Sequence, residues 1–335
     1  MRAIQLHQLV KGPDELKVSD LPDLQPAKDK YLIKIHAAAT NFFDVLQIQG
    51  KHQQKPPFPW TAGNEFAGEV VATPTGGKAN KFKAGDKVFG ATLGTFATQV
   101  LVEEEGLRPV PQGWSFAEAS GLFYTAPTAY AALVLRARAQ PGDYVLVHGS
   151  AGALGLAAVQ VSKALGMKVI ATVNSAEKGE VAKRFGADYV LDSTGEWEKE
   201  ARDCTPDKRG VDVVLDPLGM IRRSLKCIRW DGRLVVIGFA AGEIEKIPVN
   251  LYLVKNVSVS GLFWGMYATM DPQAVVTVWD ALLDLITQGK VKPMMYTGSR
   301  FVGLEQAPAA LKLLASGEAW GKIVIEVPQS KDQRL

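Results

Sequence analysis

The sequence predicts an α/β fold in which a doubly wound parallel sheet is joined to a second, mostly antiparallel β domain. Three observations predict it. Short apolar, β-branched runs broken by Gly, Pro and Asp fill roughly residues 1 to 120. From Gly142 onward, strand-like runs alternate with helical ones. A glycine-rich turn, GSAGALG, stands between the first of those strands and its helix. With 335 residues the chain is long enough for about two domains and a large core without covalent staples.

In the first part, RAIQLHQL, LKVSDL, YLIKIHAAAT and EFAGEVVAT read as strands. KFKAGDKVFG adds a turn and a strand, and ATQVLVEEEGLRPV continues the pattern. KHQQKPPFPW carries three prolines and reads as an ordered loop or a lid. Then the rhythm changes. DYVLVHG is a buried strand, and ALGLAAVQVSKALG is a helix closed by Gly166. MKVIATV, the helix AEKGEVAKRFG, DYVLDS, a helix around EWEKEARDC, and VDVVLD follow. RRSLKCIRW reads as a helix, and RLVVIGFA and NVSVSGLFW as strands, giving six strands with helical crossovers. PQAVVTVWDALLDLITQG is an amphipathic helix ending at Gly289, LEQAPAALKLLASG a second helix, and GKIVIEV a last strand. The expected division is 1–122, 123–265 and a segment 266–335 that returns to the first domain.

Composition narrows the function classes. Two cysteines, Cys204 and Cys227, exclude a disulfide framework and a Cys-rich zinc site, and point to a reducing, cytoplasmic setting. The net charge of +3 is spread along the chain, so no nucleic-acid arm or polybasic membrane anchor is expected. No targeting segment is expected, since charges run through the first twenty residues. The charge-free stretch from Tyr144 to Ser162 breaks at its central glycines and reads as strand, turn and helix.

The turn carries Gly149, Gly152 and Gly155, with Ser150 where the strict G-x-G-x-x-G pattern has its first glycine. Small residues let backbone approach a pyrophosphate, and the following helix start offers its N–H groups. Ser150, Ala151, Gly152, Ala153 and Leu154 are therefore candidate cofactor contacts. At the tip of the next strand stand Asn174 and Ser175, with Lys178 beyond them and no acidic residue to hold ribose hydroxyls. A neutral tip with a cation suits the 2′-phosphate of NADPH. Asn174 also suits a helix cap, with Glu177 completing a capping box.

The chain resembles the medium-chain dehydrogenase/reductases, and among them the zinc-free, zeta-crystallin-like quinone oxidoreductases and quinone oxidoreductase-like proteins. The likeness rests on AAATNFFDVLQIQGKHQQKPPFPWTAGNEFAGEVV, FKAGDKVFG, YTAPTAYAAL, PGDYVLVHGSAGALGLAAVQ, AKRFGADYV, GRLVVIGFAAG, LVKNVSVSGLFWG and GKIVIEV, in order along the whole chain. It implies a GroES-like catalytic domain beside a Rossmann domain, and a homodimer closed along the last strand of the sheet. It also implies NADPH as cofactor, with Gly238 and Phe239 and the backbone of Phe263, Trp264 and Gly265 near it. Trp264 suits a buried aromatic pair equally well.

In the zinc-dependent relatives, the ligand positions correspond to Asn41, Asn64 and a position near Tyr124. Amide and phenol groups are poor zinc ligands, so no metal is expected. His7, His36, His52 and His148 show no ligand spacing. The resemblance instead places Asn41 and Asp44 by the nicotinamide. Taken alone, Asn41 suits a turn and Asp44 a helix cap. Leu46 and His52 stand where the family often has aromatic residues. The expected reaction is hydride transfer from NADPH to a quinone or related conjugated carbonyl, which needs no nucleophile. An enone or enoyl-thioester reductase, and an NADPH-binding protein with little turnover, are the alternatives.

Overall fold

The structure, a computed structural model, describes residues 1–76, 81–242 and 244–328. The chain divides into two compact units, Met1–Tyr124 with Pro293–Leu335, and Thr125–Lys292. The first unit opens with β1 (Arg2–Leu6), β2 (Val18–Asp20), β3 (Tyr31–Ala39), α1 (Phe42–Ile48), β4 (Trp60–Thr61) and β5 (Glu65–Ala72). It continues with β6 (Lys87–Ala91), β7 (Gln99–Val102), β8 (Leu107–Pro109) and α2 (Phe116–Ser120). The second unit holds α3 (Thr125–Ala131), β9 (Tyr144–Val147), α4 (Ala153–Ala164), β10 (Lys168–Val173), α5 (Ala176–Arg184), β11 (Tyr189–Asp192) and α6 (Trp197–Asp203). It goes on through β12 (Val211–Asp216), α7 (Ile221–Ser224), β13 (Ile228–Val236), α8 (Asn250–Lys255), β14 (Ser258–Gly261), α9 (Tyr267–Met270) and α10 (Pro272–Thr287). The first unit resumes with β15 (Phe301–Val302), α11 (Ala307–Ser316) and β16 (Val324–Glu326).

In the first unit, β3 is the organising strand. It is buried along most of its length, as its unbroken YLIKIHAAA run requires, and it pairs with β5, β7 and β16, each antiparallel. Its inward side chains Tyr31, Ile33 and Ile35 join Phe66, Phe96 and Leu107 in one apolar core. Ala39, the last residue of β3, lies opposite Glu65 of β5 and Val324 of β16. Through this register three strand ends meet where α1 begins.

The second unit is the expected parallel sheet, in the order β11-β10-β9-β12-β13-β14. Sequence neighbours run outward in both directions from β9, so the order reverses between β9 and β12. Among the described residues, no helix is long and apolar enough to cross a membrane.

Three readings of the sequence are corrected. RRSLKCIRW is not one helix: α7 ends at Ser224, and β13 begins at Ile228. A kink at Asp231, with φ 58°, lets the strand run through polar WDG. The segment NVSVSGLFW is preceded by a helix, α8, that the apolar pattern did not reveal. Finally, the chain returns to the first unit at Pro293 and not at 266. Residues 266–292 stay because α10 buries Val278, Trp279 and Leu282, and because the Gln160 side chain makes two hydrogen bonds to the backbone of Lys292, at 3.1 and 2.8 Å.

Candidate active site

The converging strand ends of the first unit hold a buried polar cluster. Asn41 caps α1, and its backbone N–H donates to Asp44 Oδ2 at 2.6 Å. Asp44 is thus the helix-capping acid, as its spacing allowed, but it also does more. Its Oδ1 accepts from Asn64 Nδ2 at 2.7 Å, and the same amide donates to Gln47 Oε1 at 2.9 Å. Glu65, with no exposed surface, accepts at Oε1 from the Tyr124 backbone N–H at 3.1 Å. At Oε2 it accepts from Asn41 Nδ2 at 3.1 Å and from the Lys322 ammonium at 2.7 Å. Lys322 Nζ also donates to Asn41 Oδ1 at 2.6 Å.

Two carboxyls and one ammonium are taken out of water together here, and the charges act on one another. Burial pushes the Asp44 carboxyl from an ordinary 3.8 up to about 7, against the downward pull of the Asn64 and Asn41 hydrogen bonds. Burial also raises the Tyr124 phenol, and the negative charges of Glu65 and Asp44 add to that rise. Asp44 therefore holds or releases a proton near neutral pH. The Phe43 ring stands edge-on to Tyr124, at 5.3 Å, and 5.7 Å from the His52 ring. His52 lies outside the hydrogen-bonded cluster and accepts the Gln54 N–H.

The positions Asn41, Asn64 and Tyr124 do come together, but they do not fit zinc. Asn41 Oδ1 already faces an ammonium, the Asn64 amide already donates twice, and neither thiolate nor imidazole joins them. Among the described residues, no group of three or more His, Cys, Asp and Glu could hold a metal ion. Sequence reasoning missed Gln47, Glu65 and Lys322. The available signal was a charged residue inside each of two apolar strand motifs, GNEFAG and GKIVIEV.

In the second unit the remaining candidates follow strands β9, β10, β13 and β14. These strands are parallel, so the candidates share the carboxyl edge of the sheet. Ser150 and Ala151 are buried, and the Ser150 hydroxyl ties the turn inward: it donates to Val147 O at 2.6 Å and accepts from Thr172 N. Gly152, which caps α4 without a side-chain bond, is exposed, and Ala153 and Leu154 are half-buried. These three present the helix start to solvent. Gly155 is required for closeness, since a Cβ there would lie 2.3 Å from Gly149 O. The open helix start and this tight turn fit a dinucleotide phosphate.

At the tip of β10, the cap of α5 is Ser175, whose hydroxyl accepts the Lys178 N–H, and not Asn174. Asn174 instead accepts at Oδ1 from the Lys178 ammonium, at 3.2 Å. The lysine is thereby held against the strand tip. Gly238 is half-buried, and Phe239, Phe263 and Gly265 are exposed. Trp264 is buried and stacks on Tyr267 at 5.1 Å, so its side chain is the buried aromatic partner that its composition allowed.

Comparison with known proteins accords with both halves. Residues 27–112 match the alcohol dehydrogenase GroES-like domain, and residues 153–284 the zinc-binding dehydrogenase domain. The chain is 35% identical over 302 residues to the quinone oxidoreductase-like protein 2 homolog of Nematostella vectensis, covering 89% of this chain and 81% of that one. The Escherichia coli quinone oxidoreductase, solved in complex with NADPH, superposes with a TM-score of 0.85 at 26% identity, covering 97% of this chain and 100% of that one. A structure described as an NAD-dependent alcohol dehydrogenase superposes equally well, with a TM-score of 0.87 at 28% identity and coverage of 98% and 100%. The fold alone therefore does not choose between the two nicotinamide cofactors.

Proposed function

The chain belongs to the quinone oxidoreductase branch of the medium-chain dehydrogenase/reductase superfamily, and from that premise we propose that it reduces a quinone or related conjugated carbonyl with NADPH and without a metal. The observation that carries the choice of cofactor is the tip of β10. There, Asn174 and Ser175 offer an amide and a hydroxyl beside the Lys178 ammonium, where an acidic residue would repel a 2′-phosphate. NADPH, when bound at the carboxyl edge of the sheet, supplies a hydride. The acceptor then needs its new negative charge held and a proton delivered. The Asn41 amide N–H suits the first task, and the Asp44 carboxyl, poised near neutrality, suits the second.

The test is NADPH oxidation against a panel of quinones, conjugated ketones and enoyl thioesters. Turnover with quinones supports the reading. Turnover with enoyl thioesters alone assigns a different acceptor, and tight NADPH binding with no turnover overturns the reading. Purified active protein is expected to hold less than about one tenth of an equivalent of zinc and to keep its activity in chelator. The same reading carries a cytoplasmic homodimer. β14 ends the sheet order, and nearby Val249, Leu253 and Val254 are exposed, an apolar edge suited to a second copy. Light scattering that gives a monomer at micromolar concentration overturns that part.

A further inference from the structure

The buried lysine of the first unit has no part in the hydride and proton steps of the proposed reaction. Lys322 is 4% exposed. It reaches its place because its backbone is fixed on both sides. Its N–H donates to Met294 O at 2.7 Å, its carbonyl accepts from Tyr296 N–H at 2.8 Å, and the carbonyl of Ile323 accepts from Thr40 N–H at 3.0 Å. Its aliphatic stem lies on Gly121, where an added Cβ would stand 2.2 Å from Lys322 Cγ. The fold thus makes room for a cation beside Asn41.

We propose that Lys322 is a positioning residue for the reduction: it fixes the orientation of the Asn41 carboxamide so that this side chain offers an N–H, and never its oxygen, to the acceptor. An ammonium has only hydrogens to give, and a carboxylate only lone pairs. Asn41 lies between one of each, with Oδ1 at 2.6 Å from Lys322 Nζ and Nδ2 at 3.1 Å from Glu65 Oε2. Turning the amide over would set its hydrogens against the ammonium and its oxygen against the carboxylate, two repulsive contacts in place of two charge-assisted bonds. An amide held between hydroxyls, which both donate and accept, has no such constraint. The second hydrogen on Nδ2 has no partner among the described residues, so it is the one available to an oxyanion. The cation on Oδ1 also draws electron density from the amide, which strengthens that remaining donor.

This inference rests on the oxyanion-holding role proposed for Asn41, and the experiment separates the two. Steady-state kcat and KM are measured with NADPH and a quinone for Asn41→Ala, Lys322→Met, Lys322→Gln and Asn41→Ala/Lys322→Met. Active sites are counted by NADPH fluorescence titration. Asn41→Ala is expected to lower kcat roughly a hundredfold, the scale of a lost oxyanion donor. Lys322→Gln is one atom shorter but polar and keeps an N–H donor for the cluster, yet removes one of the two charges that orient the Asn41 amide. It and Lys322→Met are expected to lower kcat roughly tenfold, with KM for NADPH within about twofold. In the Asn41→Ala background, Lys322→Met is expected to add no further loss in kcat. Unchanged kcat in both single Lys322 variants, with Asn41→Ala impaired, overturns the inference and leaves the role of Asn41 standing. Equal loss with and without Asn41 also overturns it, because Lys322 then acts by another route. Unchanged kcat in Asn41→Ala removes the role of Asn41 and the inference with it.

Discussion

Each unit buries a polar cluster at its strand ends, and the two clusters are built on opposite terms. In the first unit the buried groups are charged or on the edge of charge: Asp44, Glu65 and Lys322. In the second, the cluster around His148 is neutral, while the buried carboxyls of Asp212 and Asp216 lie apart from it. His148, with no exposed surface, joins Thr172 Oγ1 at 3.0 Å and Ser224 Oγ at 2.8 Å. Ser224 donates its hydroxyl hydrogen to Met220 O, so it must accept from His148 Nε2–H, and Nδ1 is left to accept from Thr172. Burial holds this imidazole far below its ordinary 6.5, at about 3, with Arg223 adding to the effect. A neutral hub of this kind ties β9, β10 and α7 together at little cost. A buried ion trio is a poor way to hold a fold, because desolvation consumes most of the attraction. Among the described residues, Lys322 is the ammonium that is buried together with carboxyls, which sets this cluster apart from the neutral one.

The largest expected effect is the removal of the cation. In Lys322→Met, Glu65 keeps its Tyr124 hydrogen bond but loses its counter-charge. Unfolding free energy is expected to fall by about 3 to 5 kcal/mol, the range for breaking one side of a buried pair. Adding Glu65→Gln is expected to restore most of it, since a neutral amide needs no counter-ion. Urea midpoints of the wild type, the single variant and the pair check this. A single variant as stable as wild type would mean that water reaches Glu65 and that the contrast between the clusters is false.

Much of this was legible in the sequence, and the remainder was hidden for physical reasons. The parallel sheet showed itself because apolar runs, glycine closures and helical periods are local signals. Asn41 and Asp44 are picked out by the family resemblance, whereas their own spacing gives only a turn residue and a helix cap, the local role that the start of α1 shows. Neither signal picks out Lys322. A lysine beside a strand normally reads as solvent-facing, and its burial depends on Gly121, distant in sequence, which leaves its stem the space. Glu65 was hidden for the same reason, since what neutralises it, Lys322, is distant in sequence. The β13 error had a different origin. A strand that runs through Trp230, Asp231 and Gly232 breaks the period of two on which strands are read.

A smaller effect sharpens the comparison through pH. Between about pH 4 and 6.5, folded Asp44 keeps a proton that it would lose on unfolding, because its folded value of about 7 exceeds the ordinary 3.8. This term favours the native state at low pH and fades as pH rises through 7. Over the same window His148 stays neutral when folded and gains a proton on unfolding, so its term grows as pH rises from 3 to 6.5. The two slopes are opposite and each close to 1.4 kcal/mol per pH unit, so they cancel. His148→Gln keeps hydrogen bonding but cannot titrate. Its stability is expected to fall by about 2 kcal/mol from pH 4.5 to 6 relative to wild type, and Asp44→Asn is expected to show the reverse. Parallel curves for all three proteins would show that neither group titrates as its burial dictates.

The smallest effect compares two lysines. Lys322 is enclosed among neighbours of its own unit, whereas half-buried Lys178 stands at the tip of β10, where the 2′-phosphate is proposed to bind. Lys178→Ala removes an ammonium whose Asn174 partner is exposed, so unfolding free energy is expected to stay within about 0.5 kcal/mol of wild type. The 2′-phosphate of NADPH carries nearly two negative charges, and one charge-assisted contact to it contributes about 1.5 kcal/mol in so open a setting. NADPH binding should therefore weaken roughly tenfold. NADH has a hydroxyl where NADPH has the phosphate, and its affinity should change by less than about twofold. Fluorescence titration of both cofactors on both proteins decides the matter. Equal weakening of the two would mean that Lys178 supports the α5 cap and reads no phosphate, and a wild type that binds NADH as tightly as NADPH would remove the argument from the strand tip altogether.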